Sequence, residues 1–426
     1  MSRVVVIGAG AMGLAAAYYA QKRGHQVTVL EAAPEAGGMA AHFDLAGLSI
    51  ERYYHFVCKS DRATFDLLAE LGLGDTMRWV PTSMGYYLDG VLYPWGDPIS
   101  LLKFPKLSMI EKLRYGAMMF FSTKRSDWRP LENVAAKDWI TRWCGRAVYE
   151  RLWAPLFRLK FFEYADNISA AWIWTRIKRV GTSRRSLLQE ELGYIEGGSE
   201  TLVKALTRAI EQQGGVLRLK TAATCVTVAN GAVSGVAAGA EHFPADAVIS
   251  TMPTPYVSRI APDLTQDERA RYDAIVNIGV CCVVFRLKRS ITPHFWVNIS
   301  DARFEVPGIV EFSNLRPTGD TVVYIPYYMP VTHPKFARDD AAFRAEGLGY
   351  LKLLNPAVSE DDVVAFHVGR LRHAQPVCPP GFAAMLPPIE TSVRGLQIAD
   401  TCFYYPEDRG ISESVRVAKE MAERVR

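Results

Sequence analysis

The chain has 426 residues, 49% of them hydrophobic and 22% charged, which excludes disorder along its whole length and predicts a large core in two domains. The formal net charge of +4 is small and evenly spread, so we expect no nucleic-acid partner. Seven cysteines without CxxC spacing and eight histidines without ligand spacing predict reduced thiols and no metal site.

The first part of the chain predicts a strand, a glycine turn, a helix and a second strand. Residues 4–7 are a continuous β-branched run, which suits a parallel strand buried on both faces. An Ala-rich helix follows and ends near Gly24, and the second strand ends at Glu31. The apolar run before the first glycine is too short for a signal peptide, and no other run approaches the roughly 18 residues that span a bilayer. We therefore expect a cytoplasmic protein that is at most peripherally bound to a membrane.

Three glycines at the mouth of the first helix have the spacing G-x-G-x-x-G. In this motif Gly8 makes the turn, Gly10 lets the backbone approach a pyrophosphate, and Gly13 lets the helix and strand pack closely. The unpaired N–H groups at the start of the helix, at Ala11 and Met12, favour negatively charged phosphates. Together with its flanking strands the motif predicts a bound dinucleotide, and a glycine turn without a ligand is the alternative.

An acid and a second glycine pair follow the second strand. Glu31 is placed to accept hydrogen bonds from both hydroxyls of an adenosine ribose, beside Ala32, and an acid here disfavours a ribose 2′-phosphate. Six residues after the acid come Gly37 and Gly38, followed by Met39. A nicotinamide site has no evident need for this second pair.

The run from residue 31 to residue 39, E-x5-G-G-M, resembles the extended FAD fingerprint of the flavin amine oxidase, phytoene desaturase and protoporphyrinogen oxidase superfamily. The resemblance implies that the second glycine pair lets the chain pass close to the pyrophosphate and ribityl part of an extended FAD. Cys378 loosely resembles the covalent flavin cysteine of monoamine oxidases, but its spacing to the following prolines is wrong. We therefore expect noncovalent FAD.

The segment ERYYHFVCKSD, residues 51–61, is the first candidate for the lining of the flavin ring. In the superfamily the equivalent segment passes the flavin, which implies roles for Tyr53, Tyr54, His55 and Phe56. Tyr54 and His55 are predicted as catalytic residues, and His55 could act as an acid or base because imidazole titrates near neutral pH. A packed, hydrogen-bonded histidine is the alternative.

Residues 101–130 mix apolar side chains with lysines and arginines. Such a basic amphipathic stretch suits a membrane surface and would fit a lipid-linked or porphyrin substrate. An ordinary helical cover over a substrate domain is the alternative. Residues 154–179 resemble a segment of the substrate domain in protoporphyrinogen-oxidase-like proteins and a part of UDP-galactopyranose mutase, or they form a plain amphipathic helix pair with aromatic core residues.

Two later blocks match the superfamily in its order. Residues 193–253 predict a glycine turn, an amphipathic helix, a strand, a strand pair and a buried strand, and the resemblance implies that Ala223 lines the adenine site. In residues 395–426 a strand ends in Asp400 and a helix begins near Ile411. The resemblance implies that Asp400 contacts the ribityl and pyrophosphate. It also implies that the helix start, Gly410 to Ser412, points at the flavin pyrimidine and stabilises the negative charge of the reduced ring.

Two arginines are further catalytic candidates. Arg372 lies next to His373, and Arg409 follows the tyrosine pair 404–405. An arginine in a substrate pocket would suit a carboxylate or phosphate. A surface salt bridge is the alternative for both.

The predicted fold is α/β, with a discontinuous, GR2-like Rossmann-type FAD-binding domain and an α+β substrate domain. The FAD-binding domain is predicted at 1–75, 192–275 and 385–426. The substrate domain, predicted at 76–191 and 276–384, would have a mixed or antiparallel sheet under a helical cover made by residues 60–190.

Three functions are compatible with these features. The first is an FAD-dependent oxidoreductase that transfers hydride from a small or lipid-like organic substrate to flavin N5. The second is a non-redox enzyme like UDP-galactopyranose mutase acting on a nucleotide sugar, with Lys160 and tyrosines 324, 327 and 328 binding the diphosphate. The third is a non-catalytic flavin-binding protein. The substrate, the electron acceptor and the oligomeric state stay open.

Overall fold

The computed structural model describes every residue from Met1 to Arg426. The strands are β1 (Arg3–Ile7), β2 (Gln26–Leu30), β3 (His42–Asp44), β4 (Ser49–Glu51), β5 (Met77–Thr82), β6 (Met84–Leu88), β7 (Val91–Trp95), β8 (Arg184–Ser186), β9 (Gln189–Ile195), β10 (Val216–Arg218), β11 (Cys225–Ala229), β12 (Ala232–Ala238), β13 (Glu241–Pro244), β14 (Ala247–Ser250), β15 (Asn277–Leu287), β16 (Trp296–Ser300), β17 (Gly308–Glu311), β18 (Thr321–Met329), β19 (Val363–Pro376) and β20 (Leu396–Ile398). The helices are α1 (Ala11–Lys22), α2 (Arg62–Glu70), α3 (Pro98–Lys103), α4 (Met109–Lys124), α5 (Ala136–Cys144), α6 (Arg146–Val148), α7 (Ala154–Phe161), α8 (Ala170–Thr182), α9 (Ser199–Gln212), α10 (Val257–Ile260), α11 (Gln266–Asp273), α12 (Asp340–Leu354), α13 (Phe382–Met385) and α14 (Ile411–Glu423).

A five-stranded parallel sheet with the order β10-β2-β1-β14-β20 forms the first half of the molecule. Its strand β1 is apolar on both faces because side chains alternate along a strand. Val4 and Val6 pack with helices α1, α9 and α14, whereas Val5 and Ile7 pack with the three-stranded sheet β11-β12-β13. The predicted α/β fold class is therefore confirmed. The residue boundaries given for the two domains stay a prediction.

A seven-stranded sheet with the order β19-β15-β18-β17-β16-β6-β7 forms the second half. It is antiparallel except for the parallel pair of β16 and β6. On one face, Cys282 and Val284 of β15 pack with the helical layer that includes α4, α5, α7 and α8. On the other face, Val283 and Phe285 pack with α12.

Residues 60–190, predicted to form a helical cover, supply helices α2 to α8 and in addition strands β5 to β8 and the start of β9. Strands β6 and β7 form a hairpin that extends the seven-stranded sheet. Its turn is Asp89-Gly90, where both residues have positive φ, 52° and 80°. An Asp-Gly pair between apolar runs is the usual sign of such a hairpin, so the signal was present in the sequence.

Helix α7 begins after a π-helical turn at Tyr149–Trp153. Pro155 lies in the first turn of α7 and has no N–H, so the carbonyl of Arg151 is left without its helical donor. That carbonyl accepts instead from Ser300 Oγ at 2.9 Å, and the carbonyl of Leu152 accepts from Tyr86 Oη at 2.9 Å. Both bonds fix α7 to the seven-stranded sheet.

Gly13 is the contact point between α1 and the turn after β1. A Cβ at this position would lie 1.9 Å from the carbonyl oxygen of Gly8. We expect Gly13→Ala to lower the free energy of unfolding by about 1–3 kcal/mol, since backbone must shift to admit the methyl group. Thermal unfolding followed by circular dichroism measures this change.

Gly349→Ala is the matched control, because Gly349 is also helical but has open space around its Cβ position. There the substitution should raise stability by up to about 1 kcal/mol through helix propensity. Equal effects of the two substitutions would contradict the close contact at Gly13.

Candidate functional site

One cavity of about 1010 Å³ is lined by residues of the parallel sheet, the seven-stranded sheet and helices α7 and α8. Pockets for drug-sized ligands occupy about 300–1,000 Å³, so this space suits an extended cofactor together with a second ligand. One end is made of glycine turns and helix termini, and the other is largely aromatic.

The first end of the cavity contains the N-terminus of α1. Gly10 is the residue before this helix, and no side chain caps it. The first helical hydrogen bond runs from the amide of Leu14 to the carbonyl of Gly10 at 2.9 Å. The amides of Ala11 and Met12 precede it and have no helical carbonyl to bind. They line the cavity as donors for an anion, and the helix dipole adds positive potential.

The second glycine pair packs directly on the first glycine turn. The amide of Gly37 donates to the carbonyl of Ala9 at 2.7 Å, and Gly10 and Gly37 form a parallel bridge. A Cβ at Gly38 would lie 3.1 Å from Cα of Gly10. Both Gly37 and Gly38 have positive φ, 116° and 57°, which side chains disfavour. The pair therefore allows two backbone turns to meet at the lip of the cavity.

Glu31 is held in place by two backbone amides. Its Oε2 accepts from the amide of Ala9 at 2.7 Å, and its Oε1 accepts from the amide of Ala33 at 2.8 Å. Each carboxylate oxygen keeps a further lone pair, so both can also accept from a ligand hydroxyl. Ala32 and Ala223 line the cavity beside Glu31. Their small side chains leave room for a flat ring.

Asp400 and the start of α14 lie further along the same cavity. The Asp400 carboxylate accepts from the amides of Cys402 at 2.8 Å and Thr254 at 2.7 Å, so it fixes the turn after β20. Gly410 precedes α14, and no side chain caps this helix either. Its N-terminus is a second source of positive potential at the cavity.

The predicted cofactor residues are mostly brought together. Those that line the cavity are Gly8, Gly10, Ala11, Met12, Glu31, Ala32, Gly37, Gly38, Met39, Ala223, Asp400, Gly410 and Ile411. Gly13 and Ser412 do not line it: Gly13 provides close packing, and Ser412 is buried at the start of α14. Backbone donors, a fixed carboxylate for a ribose and two uncapped helix starts fit FAD.

The other end of the cavity is lined by aromatic rings. The ring of Tyr54 stands edge-on to Trp296 at 5.6 Å between centroids and to Tyr324 at 5.7 Å. Burial raises the pKa of Tyr54 well above its ordinary value, so its hydroxyl is neutral. Tyr324 itself lies behind the lining, whose other aromatic residues are Tyr53, Phe56, Trp153, Phe157, Phe161, Trp172, Tyr256, Phe295, Tyr328 and Tyr404.

His55 lies in the same wall and has an unpaired ring nitrogen. Its Nδ1 is buried without a hydrogen-bond partner. Burial lowers the pKa of His55 to about 4, so the imidazole is neutral near pH 7. A neutral ring with a free nitrogen is a proton acceptor. The catalytic role of His55 stays a prediction.

Arg372, the other arginine named as a catalytic candidate, does not line the cavity. Its neighbours Leu371 and His373 do line it. Because side chains alternate along β19, Arg372 points to the opposite face of the strand and is exposed. The sequence alone left open which of the adjacent positions faced inward.

Arg409 does line the cavity and lies within a group of charged side chains. It donates to the carbonyl of Ala374 and, at 3.3 Å, to Tyr328 Oη, while its Nε is buried without a partner. The sequence did not single out its neighbours Arg176 and Asp408, which form an ion pair on the same wall. Their helix and turn are far apart in the chain, so only the fold brings them together.

The residues expected to bind a nucleotide-sugar diphosphate are not assembled. Lys160 and Tyr328 line the cavity, but Tyr327 lies on the other face of β18 against Phe343. The Tyr324 hydroxyl donates to the Glu51 carbonyl at 2.6 Å. Cys378, the residue considered for a covalent flavin link, is buried and absent from the cavity lining.

The fold and the cavity fit a protein that binds a dinucleotide cofactor such as FAD. Residues 13–399 match the family of flavin containing amine oxidoreductases, and the chain belongs to this family. Its cofactor is therefore FAD, held noncovalently as is typical of the family.

Several known proteins are similar to this chain. Zeta-carotene desaturase of Arabidopsis thaliana is 23% identical over 319 residues, which is 67% of this chain and 57% of that protein. Mitochondrial protoporphyrinogen oxidase of Nicotiana tabacum is 35% identical over 116 residues, 26% of this chain and 23% of that protein. The crystal structure of reduced UDP-galactopyranose mutase has the same fold, with a TM-score of 0.76 and 16% identity over 99% of this chain and 95% of the mutase. The chain thus spans little more than half the length of the desaturase that it matches.

We expect Glu31→Gln to raise the dissociation constant of FAD by at least about 10-fold. The amide keeps the size of the side chain but loses a charge-assisted hydrogen bond, which is worth about 1.5–3 kcal/mol. The measurement is the FAD content per protein after gel filtration, followed by titration of the stripped protein with FAD.

Glu35→Gln is the control, because Glu35 is exposed and pairs only with Arg52 at 3.1 Å. Its FAD affinity should match the wild type. Unchanged FAD affinity in Glu31→Gln would contradict the ribose role of Glu31.

Proposed function

We propose that this protein is an FAD-dependent oxidoreductase that removes a hydride and a proton from a large, mostly apolar organic molecule. The observation that carries the proposal is one continuous cavity with FAD-binding features at one end and an aromatic wall at the other. The relatives named for zeta-carotene and protoporphyrinogen support a bulky apolar substrate. Bound FAD supplies the two-electron acceptor for this chemistry.

The aromatic end of the cavity binds and orients the substrate in this proposal. Rings such as Trp172, Trp296 and Tyr328 offer large apolar surfaces with few polar groups. Burying apolar substrate area there gains about 25 cal/mol per Å², and it also excludes water from the reacting carbon. None of these residues is a nucleophile paired with a general base. This fits a reaction in which the cofactor accepts the electrons.

His55 is the residue we assign to the proton. His55 lines the cavity, and its neutral imidazole accepts the proton that leaves the substrate and becomes imidazolium. A pKa of about 4 makes it a weak base, which suits a proton that becomes acidic only as hydride leaves. Tyr54 next to it is neutral and shapes the wall.

Anaerobic mixing of the FAD-loaded protein with a panel of polyenes, porphyrinogens and amines tests the redox role. A substrate should bleach the visible flavin absorbance within one turnover. We expect His55→Asn to slow this bleaching by about 10²-fold, at the low end of general base effects because the imidazole is a weak base.

His242→Asn is the control for the histidine change, since His242 lies on β13 outside the cavity. It should bleach at the wild-type rate. If no oxidisable compound reduces the flavin, the proposed function is wrong. If His55→Asn is as fast as the wild type, only the proton role is wrong.

We also propose that helices α3 and α4 dock on a membrane with anionic lipids. Seven of the sixteen large hydrophobic side chains exposed in the whole protein lie between residues 99 and 121. This apolar patch consists of Ile99, Leu102, Met109, Ile110, Leu113, Phe120 and Phe121. Exposed apolar side chains are ordinary singly, but a contiguous group marks an interaction surface.

The charges around the apolar patch favour an anionic lipid surface over a protein partner. Residues 98–125 contain six lysines and arginines and a single acid, Glu111. Lys103, Lys124 and Arg125 are exposed and form no ion pair. Each basic residue near an anionic bilayer adds about 1 kcal/mol of attraction. None of the helices combines the length and apolar character needed to cross a bilayer, so docking would be peripheral.

The helix that carries the patch also supports the cavity. The opposite face of α4 packs on α8, where Trp174 Nε1 donates to the Ser122 carbonyl at 3.0 Å. Helix α8 in turn lines the cavity with Trp172 and Ile173. A bilayer bound at the patch would therefore lie one helix layer from the aromatic end, which suits an apolar substrate.

Sedimentation with phosphatidylcholine vesicles, with and without phosphatidylserine, tests the docking. Wild type should bind more tightly to the vesicles with phosphatidylserine, and salt should weaken this binding. The double substitution Ile110→Ser and Leu113→Ser should weaken it at least about 10-fold, because each apolar side chain contributes about 1.5–3 kcal/mol when buried.

The control is Leu187→Ser with Leu188→Ser, which removes two exposed leucines outside the patch. Its vesicle binding should equal that of the wild type. Equal losses in both double variants, or no vesicle binding by the wild type, would exclude the membrane surface.

A further inference from the structure

Lys160 is the one cavity lysine, and its ammonium group has no acidic partner. It lies near the end of α7, and its Nζ forms neither a hydrogen bond nor an ion pair. Three aromatic rings surround it, with centroids at 5.0 Å for Trp172, 5.1 Å for Tyr328 and 5.5 Å for Phe161. The side chain is thus an aromatic-caged cation whose open side is the cavity.

Two acids, Asp408 and Glu407, line the same cavity as Lys160. Asp408 pairs with Arg176 through Oδ2, while its Oδ1 is buried without a hydrogen-bond partner. Although burial alone would raise the pKa of Asp408, the charges of Arg176 and Lys160 hold it well below its ordinary value. Burial and the charge of Glu413 raise the pKa of Glu407 to about 7, so Glu407 is only partly ionised at neutral pH.

The next arginine along α8 is also paired. Arg179 donates to both oxygens of Asp61, at 3.0 and 2.7 Å. Three cationic side chains of the lining form no ion pair: Arg259, which lies over the ring of Tyr256, and the neighbours Lys160 and Arg409. Arg409 even has a buried Nε with no acceptor.

Lys160 and Arg409 meet at one tyrosine. The guanidinium of Arg409 donates to Tyr328 Oη at 3.3 Å, while the ammonium of Lys160 lies over the ring of the same residue. Both groups therefore lie at the same part of the cavity. A single ligand group placed beside Tyr328 would lie within reach of both.

An unmatched charge pair of this kind is unstable without a ligand. Burial and the charge of Arg176 lower the pKa of Lys160 well below its ordinary value. Contacts with aromatic faces stabilise a cation, but they offset only part of the cost of burial. A ligand anion would remove that cost and restore the charge of the ammonium.

We propose that Lys160 and Arg409 hold an oxyanion, a carboxylate or a phosphate, carried at one end of an otherwise apolar substrate. This inference rests on the proposed function, because it names the substrate class for the same cavity. The rest of the substrate lies along the aromatic wall. The substrate is thus an amphiphile rather than a neutral hydrocarbon.

Calorimetric titration of the FAD-loaded protein with dodecanoate, dodecyl phosphate and dodecanol tests this assignment. At least one anionic probe should bind 10-fold or more tightly than the alcohol, and the tighter of the two identifies the oxyanion. Titration in buffers of different ionisation enthalpy counts protons. Binding of the anion raises the lowered pKa of Lys160, so the complex should take up a proton at a pH above that lowered value.

Lys160→Met keeps most of the side-chain volume without its charge. It should weaken binding of the preferred anion at least 10-fold, abolish the proton uptake and leave dodecanol affinity and FAD content unchanged. Lys160→Arg should restore most of the anion affinity. Lys204→Met is the control, because Lys204 is exposed and pairs with Glu200 on α9.

The inference is overturned if neither anionic probe binds more tightly than dodecanol, or if Lys160→Met weakens the alcohol and the anion equally. Loss of FAD from Lys160→Met would also overturn it, by assigning the lysine to the cofactor. These measurements need no turnover. A protein that binds the anion through Lys160 but is reduced by no compound would disprove the oxidoreductase and leave the anion site in place.

Discussion

The backbone contact between the two glycine turns is the constraint on which the rest of the site depends. A Cβ at Gly38 would lie 3.1 Å from Cα of Gly10, and the positive φ of Gly37 and Gly38 also disfavours side chains in the second turn. This contact brings the second turn onto the first, and both then face the cavity. The same compact region holds Glu31, whose carboxylate receives amides from both sides. A nicotinamide-binding site would not require the second glycine turn, whereas an extended FAD does.

The cavity exists because two sheets of different character face each other through helices. The parallel sheet presents the ends of its strands and two helix starts, which are polar through their backbone. The seven-stranded sheet presents side chains, and these are aromatic or apolar on the face toward α7 and α8. Backbone donors therefore line the cofactor end of the cavity, whereas side chains line the other end. This division explains why the cofactor could be named from the sequence while the substrate could not.

The local parts of the structure were predictable from the sequence. Strand β1, the turn at Gly8 and the acid at Glu31 follow from short patterns that the backbone itself imposes. The β6-β7 hairpin was missed although its Asp-Gly turn was visible, because the surrounding segment was interpreted only as a helical cover. A local turn signal such as Asp-Gly is therefore a better guide to secondary structure than the helical character expected of the whole segment.

The non-local parts were not predictable. Arg372 was chosen together with His373, but only the pairing of β19 with β15 decides which of two adjacent residues faces the cavity. The isolation of Lys160 depends on three separate segments that supply Tyr328, Arg176 and Asp408. No pattern along the chain encodes which acid pairs with which base once the segments meet.

The position of α14 in the chain has a consequence for folding order. Helix α14 packs on α1, and the turn before it supplies Asp408 and Arg409 to the cavity wall. The two uncapped helix starts of the cofactor site therefore come from opposite ends of the sequence. Contacts of such high sequence separation form late, since the entropy of closing the intervening chain must be overcome first. During synthesis the glycine turns are made long before the helix that completes the site with them, so a competent cofactor site cannot form until α14 has been made.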